Sequence, residues 1–411
     1  SAAKAIALLA RESVPDEVVS AYGGDRPKYG KEYIIPSTFD PRLISVIPSA
    51  VADAAMKSGA ARIKISDLEI YKEQLTNRLD PSMSVMQGIN AKVRKNPKRV
   101  IFAEGEDENM LKAAIEFGKN KLGIPILIGA EKRIKEQLKK IGLDENYKIQ
   151  VVNSTDKEKR EKYVKYLYKK LQRDGQLERD VDRLVRNDRI AWGSSMIACK
   201  DADAMVTGNI RHYAASIEKL KKVVDPRPGE EIFGMTMIVS KGKTILVADT
   251  NVKDFPSPKR LVNVSKSCVR VARLFGFDPK VAFLSHSTFG KPISKNTKHV
   301  RDAIEMLRNE KVDFDFDGEM QPDVALNPIY QEIYPFSKIV GNANILIMPA
   351  LHSAAISTKL MKVFGGGKLI GPLLIGLGLP IEVAPLRSST SDILHLASIA
   401  AYSSDIIDYT S

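Results

Sequence analysis

From Arg99 onward the chain alternates short apolar, β-rich runs with longer segments of helical periodicity, and that alternation limits its folds more than any other feature. RVIFA (99–103) is followed by EGEDENMLKAAIEFG, in which Met110, Leu111, Ala114 and Ile115 recur three and four residues apart. IPILIG, a basic helix reaching Ile141 and KIQVV repeat the step. A strand reaches a parallel neighbour only through a crossover, so this repetition predicts an α/β fold with a mostly parallel sheet and helices on both faces. One stretch breaks the rhythm. In MTMIVSKGKTILVADT two apolar runs flank Lys241-Gly242-Lys243, which reads as a β-hairpin and marks a second lobe. The alternation then resumes with a helix over 259–275, strand KVAFL, a helix over 296–309, strand ILIMP, a helix over 355–364 and a last helix from Ser391.

Local signals refine the picture. Thr155 and Glu158 have the spacing of a capping box at the start of a long helix carrying Tyr163, Tyr166, Leu167 and Lys170. Before Leu79 no such alternation occurs. AAKAIALLARESVPDEVV is helical from its outset, Asp40-Pro41 and Ser49 are expected to start two short helices, and a chain that begins inside a helix is expected to be cut from a longer polypeptide. With 411 residues there is material for two to three domains.

Charge and cysteine usage narrow the function classes. The net charge of +13 lies downstream, since residues 1–80 carry 11 basic and 11 acidic side chains. An excess of this kind suits nucleic acid, an anionic surface or a phosphorylated small molecule. From Asp156 to Arg189, however, 12 basic and 8 acidic residues are interleaved, which favours a solvated helical face over a nucleic-acid stripe. No helix-turn-helix or RNP signature accompanies them. Cys199 and Cys268 are the only cysteines; without a CxxC they predict no zinc site and a reducing, cytoplasmic setting. The most apolar stretch, 369–381, is interrupted by Gly371, Pro372, Gly376, Gly378 and Pro380, so no membrane span is expected there.

Open α/β sheets bind ligands beyond the carboxyl ends of their strands, and several segments put polar residues there. In AMVTGNIRHY, Thr207, Asn209, Arg211, His212 and Tyr213 follow a strand and lead into a helix, an arrangement suited to an anion or to a plain capped turn. FLSHSTFGKP places Ser287, Thr288, Gly290 and Lys291 after KVAFL as a candidate phosphate cradle, although its spacing is not that of a Walker A loop. DFDGEMQPDVALNP holds Asp317, Glu319, Gln321 and Asp323 without EF-hand spacing, so no metal is expected. His352 and Ser353 stand at the start of a helix after ILIMP. In APLRSSTSDILHLASIAAY, Arg387 precedes a hydroxyl-rich stretch and Asp392 falls in the first turn of the last helix, where an acid also suits the helix dipole.

Two resemblances follow from these segments. LLARESVPDEVV, AYGG, YIIPSTFDPRL and VADAAMKSGAARI, in that order, resemble the closing segment of the cofactor-binding domain of bacterial malic enzymes, without that family's catalytic, metal or nicotinamide motifs. From Pro97 to the end, KRVIFAEGEDENMLKAA, KDADAMVTG, VADTNV, FGFDPKVAFLSHSTFG, DGEMQPDVALNP, VGNANILIMP and KLIGPLL resemble the phosphotransacetylase (phosphate acetyltransferase) family. The resemblance implies a two-lobed, three-layer sandwich with mostly parallel sheets, related to isocitrate and isopropylmalate dehydrogenases, and a cleft between the lobes. Residues 1–80 would be the malic-enzyme tail and 81–411 the phosphotransacetylase-like domain, with lobe 1 at about 81–225 plus 385–411 and lobe 2 at about 226–384. The two together have the layout of the large hybrid malic enzymes. That implies an upstream catalytic domain, NADP or NAD and a divalent metal (Mg or Mn) in the whole protein but no cofactor in this portion, acetyl-CoA as an effector, and a homo-oligomer, dimer or larger.

The family uses an Asp as base for the coenzyme thiol, and Asp392 matches it. The Ser-Arg pair that steadies the reacting carbonyl falls on Pro385 and Leu386, which have no side-chain donor, and Arg387 is displaced by one residue. A further family arginine falls on Glu218. Loss of one such donor costs about 10²–10³ in rate. The expectation is therefore an acetyl-CoA-binding regulatory domain without efficient acetyl transfer. An active acyltransferase is the alternative, and a nucleic-acid binder ranks third.

Overall fold

The structure, a computed structural model, describes all residues except 13, 15–26, 39, 80–83, 144–147, 241–242, 251, 293–296, 365–367 and 407–411. The chain divides into two compact units, Ser1–Gln87 and Gly88–Ser411. The boundary expected at 80/81 lies outside the described residues, as does the AYGG segment.

The first unit is helical: α1 (Ala2–Leu9), α2 (Leu43–Ser58) and α3 (Leu68–Leu79), with α4 (Ser84–Lys95) crossing into the second unit. Instead of two short helices after Asp40 there is one. Asp40 accepts the backbone N–H of Arg42 at 3.0 Å just before α2, and Pro48 and Ser49 lie inside that helix. It ends at Gly59, whose φ of 76° is the left-handed geometry that glycine adopts without cost.

The second unit continues with β1 (Lys98–Phe102), α5 (Glu108–Lys119), β2 (Gly123–Ile128), α6 (Glu131–Lys140), β3 (Gln150–Val152), α7 (Lys157–Leu171), α8 (Glu178–Asn187), α9 (Arg189–Ala198), β4 (Ala204–Gly208) and α10 (Tyr213–Val223). Next come β5 (Phe233–Ser240), β6 (Lys243–Ala248), α11 (Pro258–Leu274), β7 (Lys280–Leu284), α12 (Lys298–Asn309), β8 (Asp315–Met320), α13 (Pro322–Leu326) and α14 (Pro328–Gln331). β9 (Ile345–Ile347), α15 (Leu351–Phe364), β10 (Lys368–Ile375), β11 (Ile381–Ala384) and α16 (Thr390–Ile406) complete it.

Two sheets carry the lobes. The first has the order β11-β4-β1-β2-β3, all parallel. The second runs β10-β5-β6-β9-β7-β8, with β10, β5 and β6 antiparallel and the remainder parallel. The hairpin is therefore present, pairing Ser240 with Lys243; Lys241 and Gly242 lie outside the described residues. The return to the first lobe comes earlier than the expected residue 385, because β11 itself pairs with β4. The stretch 369–381 supplies β10 and the turn into β11, and no helix among the described residues is long and apolar enough to cross a membrane.

Apolar burial holds each lobe. Ile101, Ile126, Tyr163, Leu167, Val181, Trp192 and Met205 form one core between the first sheet and α7–α10. On the other face α16 packs against α5, β4 and β11. The second core gathers Ile238, Val247, Leu284, Met320, Leu346 and Met348. Each fully buried side chain of this kind stabilises by about 1.5–3 kcal/mol relative to exposure.

One capping expectation is corrected. The N-cap of α7 is Asp156, whose carboxylate accepts the Lys159 N–H at 3.1 Å. Thr155 instead donates its N–H and hydroxyl to Asn153 Oδ1. A carboxylate is at least as good a cap as a hydroxyl, and Asn153 has already claimed that hydroxyl.

Candidate functional site

The strand order fixes where a ligand site belongs. In the first sheet the chain steps from β1 outward to β2 and β3, then returns to β4 on the other side, so the crevice opens between the carboxyl ends of β1 and β4. Glu104 lies just beyond β1 and Thr207–Gly208 end β4. Glu104 is wholly buried, and its carboxyl accepts from Thr207 Oγ1 at 3.1 Å and Gly208 N–H at 3.0 Å. Arg211 stands 3.9 Å away. Burial pushes the Glu104 carboxyl up to about 7, against the opposing pull of Arg211 and these two donors.

Backbone geometry locks the rest of the cluster. Gly208 has φ 111°, and a Cβ there would sit 2.3 Å from the Ala384 carbonyl oxygen, so only glycine lets β4 lie this close to β11. Asn209, at φ 66°, donates its N–H to Ala384 O at 3.1 Å and its amide Nδ2 to Asp107 Oδ1 at 2.6 Å. Its carbonyl accepts from Arg387 N at 2.9 Å, while its buried Oδ1 has no partner. Asp107 is also the N-cap of α5, accepting from Met110 N. Asn109 Nδ2 donates to Ser388 O at 3.1 Å. Thr207, Asn209, Arg211 and the Arg387–Ser388 turn are therefore brought together around Glu104.

Other expected residues stand apart from that group. Asp392 Oδ2 accepts Ser389 N–H at 3.3 Å and the Ser389 hydroxyl accepts Asp392 N–H at 3.2 Å, the reciprocal pattern of a capping box. Arg387 is exposed, and no described hydrogen bond or ion pair joins its side chain to Asp392. His212 is the exposed N-cap residue of α10 and makes no side-chain capping bond. Tyr213 turns inward; its hydroxyl is buried without a partner, and burial together with Glu382 and Asp249 holds it far above the usual phenol range. Glu218 is exposed on α10.

The second sheet has its own switch point, between β7 and β9. Here the expected phosphate cradle is already filled by a carboxylate. Glu319, 1% exposed, accepts from Ser287 Oγ at 2.7 Å, Gly290 N–H at 3.2 Å and Arg301 at 3.3 Å. Thr288 Oγ1 accepts from Gln321 N, and Gln321 Nε2 donates to His286 O. Lys291 is exposed and bridges Thr288 through the backbone alone. Asp323 is exposed, and its carboxylate accepts only from Val324 N–H among the described bonds. Asp317 is instead ion-paired with Arg308 at 3.1 Å; on a regular strand it would share a face with Glu319, and the register shift in the β7–β8 pairing between Phe283 and Leu284 breaks that alternation. His352 is exposed in the first turn of α15, its ring 5.7 Å from that of Phe255. No described hydrogen bond or ion pair links the two clusters. Among the described residues no group of three or more His, Cys, Asp or Glu side chains is placed to hold a metal ion.

Glu104, Asp107, Asn109 and Arg301 escaped the reading of the sequence. Glu104 carried a usable signal, because it follows β1 just as Thr207 closes β4. Arg301 lies in the first turn of α12 with nothing around it in sequence to mark it.

The model of the phosphate acetyl/butaryl transferase family matches residues 84–401. The NADP-dependent malic enzyme of Rhizobium meliloti (strain 1021) is 45% identical over 98% of this chain, but the chain spans only 53% of that relative. The phosphate acetyltransferase of Clostridium acetobutylicum is 28% identical, with 77% of this chain and 97% of the relative covered. Among solved structures, a phosphotransacetylase from Streptococcus pyogenes superposes with a TM-score of 0.71 at 27% identity, covering 78% of this chain and 98% of that one.

Proposed function

Since the chain belongs to the phosphate acetyl/butaryl transferase family over residues 84–401, we propose that it is the C-terminal regulatory and oligomerisation portion of a malic enzyme, binding acetyl-CoA without transferring its acetyl group efficiently. In this reading the whole protein oxidises and decarboxylates malate to pyruvate, with the nicotinamide (NADP or NAD) and Mg or Mn held by an upstream catalytic portion. The similarity to the Rhizobium malic enzyme, which runs through residues before 84 as well, supports the join.

The observation that carries the reading is the turn after β11. Acetyl transfer needs a base for a thiol whose ordinary pKa is about 8.5, and donors aimed at the carbonyl where charge develops. Asp392, which resembles the family base, is held by Ser389 at the start of α16. Where the family has its Ser-Arg pair this chain has Pro385, without a donor, and Leu386, an apolar side chain 44% exposed. Thr207, Asn209 and Arg211 would remain to bind ligand, with Arg211 supplying positive charge. Bound acetyl-CoA would then act by favouring one assembly state over another. A stripe of exposed apolar residues on α15, comprising Ile356, Leu360, Val363 and Phe364, supports association with a second copy.

The test has two parts. The chain mixed with acetyl phosphate and coenzyme A is expected to turn over far more slowly than a true phosphotransacetylase; comparable turnover would instead establish the active-transferase reading, which the match over 97% of the Clostridium relative supports. In the full-length protein, malate oxidation is expected to respond to acetyl-CoA, and a version ending near Leu79 is expected to lose that response. A response that survives the truncation refutes the regulatory role.

A further inference from the structure

A second depression opens at the carboxyl edge of the first sheet, beyond β2 and β3. It encloses about 310 Å³, at the lower end of the roughly 300–1,000 Å³ typical of small-molecule sites. Its floor is apolar, built from Ile128, Val185 and Trp192, each less than 5% exposed. Asn153 and Ser154, in the turn after β3, and Arg189, at the start of α9, line its polar side.

Two features limit what fits. The floor rewards a flat apolar body. Arg189 is ion-paired with Glu106 at 2.9 Å, but that carboxylate also accepts from Ala130 N–H at 2.8 Å and lies 3.5 Å from Arg133. Glu106 therefore keeps partners when Arg189 turns to a second anion.

We propose that this cavity binds a nucleoside monophosphate, with the base over Ile128, Val185 and Trp192, its polar edge toward Asn153 and Ser154 at the rim, and the phosphate on Arg189. A guanidinium matches phosphate in planar, two-pronged fashion, and the amide and hydroxyl rim can serve either a donor or an acceptor edge of the base. The site uses none of the residues assigned to acetyl-CoA and does not depend on that reading.

Trp192 is the only tryptophan in the chain, so its fluorescence reports directly from the cavity floor. Titration with adenosine 5′-monophosphate is expected to give a saturable change; adenosine should bind more weakly, and inorganic phosphate alone should give none. Ser154→Tyr fills the cavity from its partly exposed rim and is expected to abolish the change, with far-ultraviolet circular dichroism unaltered. Arg189→Gln should weaken the monophosphate roughly tenfold or more and leave adenosine unaffected, the usual consequence of losing a charge-assisted bond. A wild-type chain that shows no saturable change overturns the proposal. So does a change that both variants retain in full.

Discussion

Replacing Glu382 by glutamine is expected to flatten the pH dependence of this protein's stability. Glu382 lies on β11 in the first sheet, 4% exposed, and its carboxyl accepts the N–H of Leu374 on β10, the edge strand of the second sheet, at 2.9 Å. Burial pushes its pKa from 4.5 up to about 8. Between those values the folded chain keeps a proton that the unfolded chain has released, so stability falls as pH rises and is fully present only below 4.5. At about 1.4 kcal/mol per pH unit, the loss between pH 5 and pH 8 comes to roughly 3–4 kcal/mol from this one group. Glutamine has nearly the same shape and cannot ionise, so the variant gains about that much on wild type over the same interval. Glu104 contributes in the same direction to both proteins and cancels in the difference. Urea unfolding at pH 5 and pH 8, followed by Trp192 fluorescence, measures the effect. If the two proteins lose stability in parallel, Glu382 does not hold its proton in the folded state and the argument from burial fails.

Three further outcomes follow from the β1–β4 cluster and the turn beside it. Gly208→Ala forces a Cβ against the Ala384 carbonyl at a left-handed φ and is expected to cost about 2–3 kcal/mol or more, read as a lowered melting temperature; an unchanged melting temperature would show that β11 can yield. Asp107→Ala removes both the α5 cap and the Asn209 partner, with an expected loss of about 1–2 kcal/mol in chemical denaturation. The double variant Pro385→Ser with Leu386→Arg returns the missing donors at an accessible turn, and acetyl phosphate formation should rise by about 10²-fold. No gain would place the deficiency elsewhere.

The layered α/β plan was legible because period-2 and period-3.6 patterns alternate along most of the chain, and apolar burial enforces both. The hairpin was legible for the same reason, from two apolar runs separated by a short polar turn. Partner choice among polar groups was harder to read. Thr155 looked like a cap until Asn153, two residues earlier, took its hydroxyl. Ser287 and Gly290 looked like an open anion cradle, yet Glu319 from the neighbouring strand fills it, a contact set by sheet register and not by any local spacing. Tyr213 lies two residues after the ligand-like Arg211 in sequence, but its hydroxyl is buried near Glu382 and Asp249, because α10 begins between the two, at its N-cap His212.

The first sheet acquires its edge strand, β11, and its covering helix, α16, only after the chain has built the whole second lobe. On the ribosome, residues 98–208 must therefore wait with β4 unpaired along one side and the apolar face beneath α16 uncovered. Until residues 381–406 emerge, that half-built lobe is a target for chaperones and for pairing with other nascent chains, and truncation before residue 381 would damage the beginning of this unit rather than its end.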